Sequence, residues 1–460
     1  LSLHDALPIS GRSDYPNQVN NAVCFPYIFR GALDVGATGI NEAMKTACVR
    51  AIAELARMEA SDLGSAYGGD VPSFGAEYLI PRPFDPRLLV MLAPAVAQAA
   101  MDSGVAARPI VDMEAYKEKL GQFIYRTGLI MKPVYDRARS DLKRVVYAEG
   151  EEETVLRAVQ SVVDYKLAFP ILIGRPEVIE MRIQRLGLRL REGVDFELTN
   201  INDDPRFNEY WQQYHTMTER RGVTPDAAKN LLRSRPTLIA AIMVERGEAD
   251  AMICGLVGRY HKKLGYLRSV FGLDPGVQCT SAMTGVINDK GAWFFLDTHV
   301  QVDPSAEQIA EAAMQASYRL KLFGIEPKVA LLSHSNFGSH DNPSAAKMRK
   351  VREILKARAP RLEVDGEMQA DTAWDETLRR RILPSSTLAG RANLFVMPNL
   401  DSANIVYNMV RVMTDGVAIG PILMGVDKPA HILTTASSVR RVVNMTAIAA
   451  VDAQIRAGRA

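Results

Sequence analysis

The chain has 460 residues, 47% of them hydrophobic, which is enough to bury large cores and gives room for about three domains. Lysine and arginine number 55 against 53 aspartates and glutamates, a net charge of +2 with no long basic run, which argues against nucleic acid as the main partner. Cys24, Cys48, Cys254 and Cys279 lack metal-type spacing, and no apolar run reaches the ~18 residues that span a bilayer, so a reduced, soluble, cytoplasmic chain with no membrane contact is expected.

Residues 1–10, LSLHDALPIS, have neither the basic start nor the long apolar run of a signal peptide, and they lack an initiator Met. They read as a foreign leader joined to the chain at Gly11, with no role for His4 or Asp5. The next stretch, GRSDYPNQVNNAVCFPYIFRGALDVGA, sets the amides Asn17, Gln18, Asn20 and Asn21 ahead of an apolar run. A carboxamide pair in a turn can hold a small hydroxy acid, one group accepting from its hydroxyl and one donating to its carboxylate. Asparagines in turns also serve the backbone alone. Asn41 is placed to cap a helix whose Met44, Ala47, Cys48, Ala51, Ile52 and Leu55 follow helical period. PRPFDPRLL marks a loop, and the helix through AVAQAAMDSG stops at Gly104. Residues 124–143, with RTGLIMKPVYDRARSD, read as a charged, irregular linker that can pack as a short helix.

From Arg144 short apolar runs alternate with helical segments. Val145–Tyr147, Ile171–Ile173 and Met252–Cys254 suit fully buried parallel strands, and the alternation places helices on both faces of the sheet. The acids of Glu149 to Glu153 fit a helix start better than a metal site. TERRGVTPDAAKNLLRSR reads as a solvated basic helix, although Arg220 or Arg221 can reach a phosphate, and His261 in GRYHKKLG reads as surface. GAWFFLDTHV is a strand, and Asp303 or Ser305 can cap a helix running to Gly324. PKVALLSHSNFGSHDNP is a strand entering a small-residue loop, the usual place for ligand contact at the carboxyl end of an α/β strand. His334 and His340 lack acids at the spacing a metal site needs.

Residues 393–452 read as strand, polar turn, helix, Gly-rich crossing and second helix, so two anion-favouring helix N-termini fall close together. Asp401 or Ser402 can cap the first helix, where Asn404, Asn408 and Arg411 form one polar stripe among Ile405, Val406, Met409, Val410, Val412 and Met413. The helix is expected to be mostly buried, its stripe lining a cleft or facing water. Ser437 or Ser438 can cap the second helix, which puts Arg440 and Arg441 in a first turn where the macrodipole disfavours cations by ~0.3–1 kcal/mol each. A bound phosphate or pyrophosphate resolves that conflict, and so does solvent exposure.

PNLDSANIVYN, VRV and GPILMGVDKPAHILTTASSVRRV resemble the C-terminal signature of phosphotransacetylases, PDxNxxNIxYK, QRL and GPIxQGLxKPVxDLSRGxSVEDI; these enzymes exchange phosphate and coenzyme A on an acetyl group. YLRSVFGLDPGVQCTSAMTGVI, LSHSNFGS and LEVDGEMQADTAW extend the resemblance over residues 144–460. It implies two α/β lobes, 144–279 plus 426–460 and 280–425, with the ligand between them. It also implies acetyl-CoA or phosphate contacts from Arg268, Ser333, Ser335, Asn336, Gly338, Ser339, Asn404, Asn408, Arg411 and Arg441. The departures fall on the chemistry. The family's Ser-Arg pair corresponds to Thr434 and Thr435, and its thiol-deprotonating Asp corresponds to Arg441. A guanidinium with a pKa above ~12 is no base, so binding of acetyl-CoA near Arg411, Arg441 and Ser335 without turnover is expected.

GRSDYPNQVNNAVCFPYIFRGALDVGATGINEAMKTACVRAIAELA resembles the end of the nucleotide-binding domain of bacterial malic enzymes, which oxidise and decarboxylate malate to pyruvate with NAD or NADP and a divalent metal, Mg or Mn. The resemblance implies that residues 11–123 are the C-terminal piece of a Rossmann-type domain and that Asn20 and Asn21 face malate. The family's catalytic Tyr and Lys, metal carboxylates and Gly-rich loop precede this region, so malate oxidation is expected of the parent protein and not of this stretch. The combined expectation is an α/β chain, a truncated Rossmann-type piece followed by a two-lobed phosphotransacetylase-like domain with parallel sheets. As in hybrid malic enzymes, that domain would take acetyl-CoA as effector and help build a homo-oligomer. A working phosphate acetyltransferase and a ligand-free oligomerisation module are the alternatives.

Overall fold

The computed structural model describes residues 9–10, 17–58, 74–76, 78–82, 85, 87–122, 126–288, 290–414 and 416–458. Residues 1–8, with His4 and Asp5, lie outside the described residues, as do Pro83, Phe84 and Pro86 of the proline-rich stretch. The chain divides into two compact units, 1–129 and 130–460.

Apart from a two-residue parallel pairing of Ile9–Ser10 with Asn17–Gln18, the described part of the first unit is helical: α1 (Phe25–Asp34), α2 (Glu42–Arg57), α3 (Arg87–Asp102) and α4 (Met113–Gln122). Asn41 caps α2, its Oδ1 accepting the Met44 N–H at 3.0 Å. Met44, Cys48, Ala51 and Leu55 of α2 are buried in one cluster with Leu88, Leu92 and Val96 of α3. At Gly31 a Cβ would stand 2.5 Å from the Ala93 carbonyl oxygen, so the crossing of α1 over α3 requires glycine.

The second unit begins in α5 (Arg126–Ser140). The stretch expected to be a charged linker able to pack as a short helix is a helix of 15 residues, because Met131, Val134 and Ala138 recur at helical spacing and are buried in the core of this unit. There follow β1 (Arg144–Tyr147), α6 (Glu153–Asp164), β2 (Phe169–Gly174), α7 (Pro176–Arg185), β3 (Glu197–Asn200), α8 (Phe207–Thr218), α9 (Pro225–Ser234), α10 (Pro236–Glu245), β4 (Ala251–Cys254) and α11 (Tyr260–Val270). The chain continues through β5 (Ser281–Asn288), β6 (Gly291–Leu296), α12 (Ala306–Leu322), β7 (Lys328–Leu332), α13 (Pro343–Arg358), β8 (Glu363–Met368), α14 (Ala370–Trp374), α15 (Glu376–Ile382) and β9 (Leu394–Val396). It ends with α16 (Leu400–Met413), β10 (Val417–Met424), β11 (Ala430–Ile432) and α17 (Val439–Ala457).

The strands form two sheets. One has five parallel strands in the order β11-β4-β1-β2-β3. The other has six, β8-β7-β9-β6-β5-β10, in which β8, β7, β9 and β6 are parallel while β5 runs antiparallel to both its neighbours. The apolar runs are buried because helices cover both faces, α10 being buried from Thr237 to Val244. Residues 417–432, read as a Gly-rich crossing, are the strands β10 and β11, and Gly420–Pro421 is cis. Ser305 and Gln308 make a reciprocal capping box at the start of α12.

The last helix joins the two sheets. α17 is buried from Arg441 to Ala453 and packs on β1, β4 and β11 of one sheet and on β10 of the other. Tyr147 and Thr446 hydroxyls meet at 2.7 Å, the Tyr135 hydroxyl donates to Asn444 Oδ1 at 2.5 Å, and Arg319 pairs with Asp452. No helix among the described residues is long and apolar enough to cross a membrane.

Candidate functional site

The parallel strands of the six-stranded sheet end on one edge, and two loops there organise a cleft. After β6, the buried Asp297 carboxylate accepts the N–H groups of His299 (2.9 Å), Val300 (3.0 Å) and Gln301 (3.1 Å), which fixes the turn; burial raises its carboxyl to about 6. His299 Nδ1 meets Thr298 Oγ1 at 2.8 Å, and its ring centroid lies 4.9 Å from Tyr260 and 6.4 Å from Tyr407. Burial, then the Arg441 and His261 charges, lower the His299 pKa to about 4, so the ring is neutral at pH 7. After β9, Asn399 caps α16 through the Ser402 N–H at 3.0 Å, in place of the Asp401 or Ser402 expected. Asn404 Nδ2 then donates to the Thr298 carbonyl at 3.0 Å, and Asn408 Nδ2 to Asn404 Oδ1 at 3.1 Å. Tyr260, His261, Thr298, His299, Asp401, Asn404 and Ile405 line a cleft of about 240 Å³ together with Leu400. The helix is less buried than its sequence suggested. Only Ala403 and Tyr407 of α16 are buried, while Ile405, Met409, Val412 and Met413 are exposed.

One step behind the cleft stands Arg441. Ser438 caps α17 by accepting the Arg441 N–H at 3.3 Å, and the Arg441 side chain, 5% exposed, donates through Nη2 to the Tyr407 hydroxyl. Its Nε has no partner, and among the described residues no carboxylate pairs with it. A cation taken out of water without a counter-charge is costly, and an anion alongside offsets that cost.

The loop after β7 is different. Ser335 is fully buried, and its Oγ donates to Glu367 Oε1 at 2.9 Å; the Gly338 N–H reaches the same oxygen at 2.7 Å, and Arg349 Nη1 at 3.1 Å. Ser339 Oγ accepts the Asn336 N–H at 2.9 Å, Asn336 Oδ1 accepts the Gln369 N–H at 2.8 Å, and Ser333 Oγ accepts the Ser335 N–H at 3.2 Å. The polar groups of the loop fold back onto a buried carboxylate.

The remaining candidates are dispersed. Arg268 is exposed and donates to Thr280 Oγ1. Arg411 is half-buried, with its Nε unpartnered. Thr434 N–H donates to Ser437 Oγ at 3.2 Å, and Thr435 is exposed. Arg221 Nη1 donates to the Ser269 carbonyl at 3.4 Å. In the first unit, Asn20 is half-buried and Asn21 exposed, at a one-turn 3-10 helix, Asn21–Val23. His261, read as surface, is exposed but lines the cleft. The sequence reading passed over His299, Tyr260 and Tyr407; the one available signal for His299 was its place three residues past the end of β6.

A larger cleft, about 640 Å³, opens at the carboxyl edge of the five-stranded sheet. It lies where β1 is flanked by β2 on one side and β4 on the other, the reversal of strand order at which α/β sheets hold ligands. Arg175, Arg235, Arg259, Lys262 and Lys263 line it with Glu149, Glu151 and Glu152. Glu149 pairs with Lys263 at 2.5 Å and Glu151 with Arg175 at 2.7 Å. The start of α11 separates the two clefts, with Arg259 and Lys262 facing the larger and Tyr260 and His261 the smaller.

Comparison with known proteins adds three findings. Residues 129–450 match the family model described as Phosphate acetyl/butaryl transferase. Over 98% of its length the chain is 57% identical to the NADP-dependent malic enzyme of Escherichia coli K12, and over 97% it is 53% identical to the NAD-dependent malic enzyme of Rhizobium meliloti. It spans 60% and 58% of those relatives' own lengths. A phosphotransacetylase from Streptococcus pyogenes superposes on 71% of this chain and 98% of its own with a TM-score of 0.66 at 28% identity.

Proposed function

Because this chain belongs to the Phosphate acetyl/butaryl transferase family over residues 129–450, we propose that this domain serves as a non-catalytic acetyl-CoA sensor in an NAD- or NADP-dependent malic enzyme. The whole protein would oxidise and decarboxylate malate to pyruvate and CO2 in the cytoplasm, as a homo-oligomer built partly through this domain. The malic enzymes that align along nearly the full chain support that reading. Asn20 and Asn21 would face malate through their carboxamides. Among the described residues no three His, Cys, Asp or Glu side chains come together to hold a metal ion. The described first unit also forms no sheet beyond a two-residue strand pair, so it offers no strand, glycine loop and helix for a dinucleotide.

The observation that carries the sensor reading is the buried Arg441 guanidinium without a counter-charge, beside a cleft walled by His299 and Asn404. Such a corner suits an anionic ligand. Acetyl-CoA is long, with an acyl end and a phosphate-bearing end, and two clefts flank the start of α11, the larger one rich in cations. Turnover would lack the family's base: by resemblance Arg441 stands where the family has its thiol-deprotonating Asp, and His299, with its pKa near 4, is too weakly basic to take a thiol proton at neutral pH. Control of malate oxidation by acetyl-CoA would then need a coupling of ~1–3 kcal/mol between the domains.

The test is a calorimetric titration with acetyl-CoA, with and without phosphate. Saturable binding without acetyl phosphate formation is expected, and Arg441→Met should weaken it by about 10- to 100-fold, the loss of one charge-assisted contact. Steady formation of acetyl phosphate would restore the working transferase. No binding heat at high ligand concentration would leave the oligomerisation module.

A further inference from the structure

Two of the four cysteines meet. The Sγ atoms of Cys24 and Cys48 lie 3.3 Å apart without a bond between them. Cys254 is buried in β4, and Cys279 sits against Glu311 and Gln301, both in the second unit. Cys48 is fully buried in the middle of α2. Cys24 is half-buried and precedes α1; its N–H donates to the Asn21 carbonyl at 3.1 Å, and its carbonyl accepts the Ile28 N–H at 3.0 Å. It is the residue at which the Asn21–Val23 turn passes into α1.

We propose that Cys24 and Cys48 form a reversible intramolecular disulfide when the protein meets a hydroperoxide. The half-buried Cys24 sulfur is the one a small oxidant reaches. As thiolate it attacks the peroxide, the O–O bond breaks, and Cys24 becomes a sulfenic acid while an alcohol or water departs. The Cys48 sulfur then displaces the hydroxyl; its proton leaves with that oxygen as water, and the S–S bond forms. Two thiols are oxidised and one peroxide is reduced. Burial, and then the contact with Cys24, push the Cys48 thiol up to about 12, so Cys48 does not supply the first thiolate and gives up its proton only as its sulfur bonds to Cys24. Closing the 3.3 Å gap to a bond of ~2.05 Å requires an approach of about 1.3 Å, available where Cys24 leaves the turn. The bridge would tie the turn that carries Asn20 and Asn21 to α2. This inference does not depend on the acetyl-CoA reading.

The full chain is treated with hydrogen peroxide, quenched, unfolded and titrated for thiols. Two of four thiols should disappear and return with dithiothreitol, and a digest should yield one peptide pair joined through Cys24 and Cys48. In Cys24→Ser, which leaves the buried partner in place, neither loss nor cross-link should occur. In Cys48→Ser the Cys24 thiol should oxidise onward to sulfinic acid without a bridge. Retention of all four thiols, irreversible loss of one, or a cross-link between chains would overturn the proposal.

Discussion

The loop at Ser333–Ser339 and the corner at Arg441 both read as anion contacts in sequence, and the structure separates them by what their polar groups already do. In the loop, Ser335 Oγ and the Gly338 N–H serve the buried Glu367 carboxylate. At the corner, a guanidinium 5% exposed has a tyrosine hydroxyl and no carboxylate. A small-residue loop can be rigid because it is internally satisfied, whereas a cation left uncompensated inside the fold is poised for something from outside.

The strongest way to break this contrast is Glu367→Ala. It should strip the loop of its shared acceptor and cost about 3–5 kcal/mol in urea unfolding, since the network loses its buried carboxylate. An unchanged midpoint would mean that the loop is held by something else. Next comes His299, whose folded pKa lies below its ordinary value. The unfolded chain then binds more protons, so the stability that neutral His299 allows at pH 7 is lost as pH falls from about 6.5 towards about 4. Replacing it, as in His299→Gln, should spare the protein on the order of 3 kcal/mol of acid destabilisation between pH 7 and pH 4. If parent and variant lose equal stability, Arg441 and burial do not act on this ring as described. Arg441→Met, predicted above to weaken acetyl-CoA by about 10- to 100-fold, should leave the urea midpoint equal or higher, because it removes an uncompensated buried charge. A marked drop in the midpoint would make the guanidinium a structural element. The smallest effect is Ser335→Ala, about 1–2 kcal/mol of stability for the bonds its hydroxyl makes to Glu367 and from the His340 N–H, with acetyl-CoA affinity unchanged. A tenfold loss of affinity there would return the loop to the binding site.

The sequence was informative where residues act locally. The buried strands at Val145–Tyr147, Ile171–Ile173 and Met252–Cys254, and the caps at Asn41, Ser305 and Ser438, follow from apolar runs and short polar side chains next to helix starts. It was uninformative where partners come from far along the chain. Glu367 lies 32 residues from Ser335, and Tyr407 lies 34 from Arg441, so whether a serine or an arginine is engaged cannot be seen in its own segment. Residues 417–432 misled because Gly420, Pro421 and Gly425 hide two strands, and the length of α5 was hard to see because its charged residues mask the spacing of Met131, Val134 and Ala138. The exposure of Met409 and Met413 on α16 depends on what packs against the helix, which composition does not record.

The helix that joins the two sheets is made after both of them. Both sheets are complete in synthesis by Ile432, but α17 follows at Val439–Ala457, and its buried face covers strands of each. At ~5–20 residues per second, the interval between the first strand at Arg144 and the end of this helix is on the order of tens of seconds. During that time the strands of both sheets are made before the wall they will share. In the second unit, then, the wall shared by the two sheets is supplied only after every one of their strands has been made.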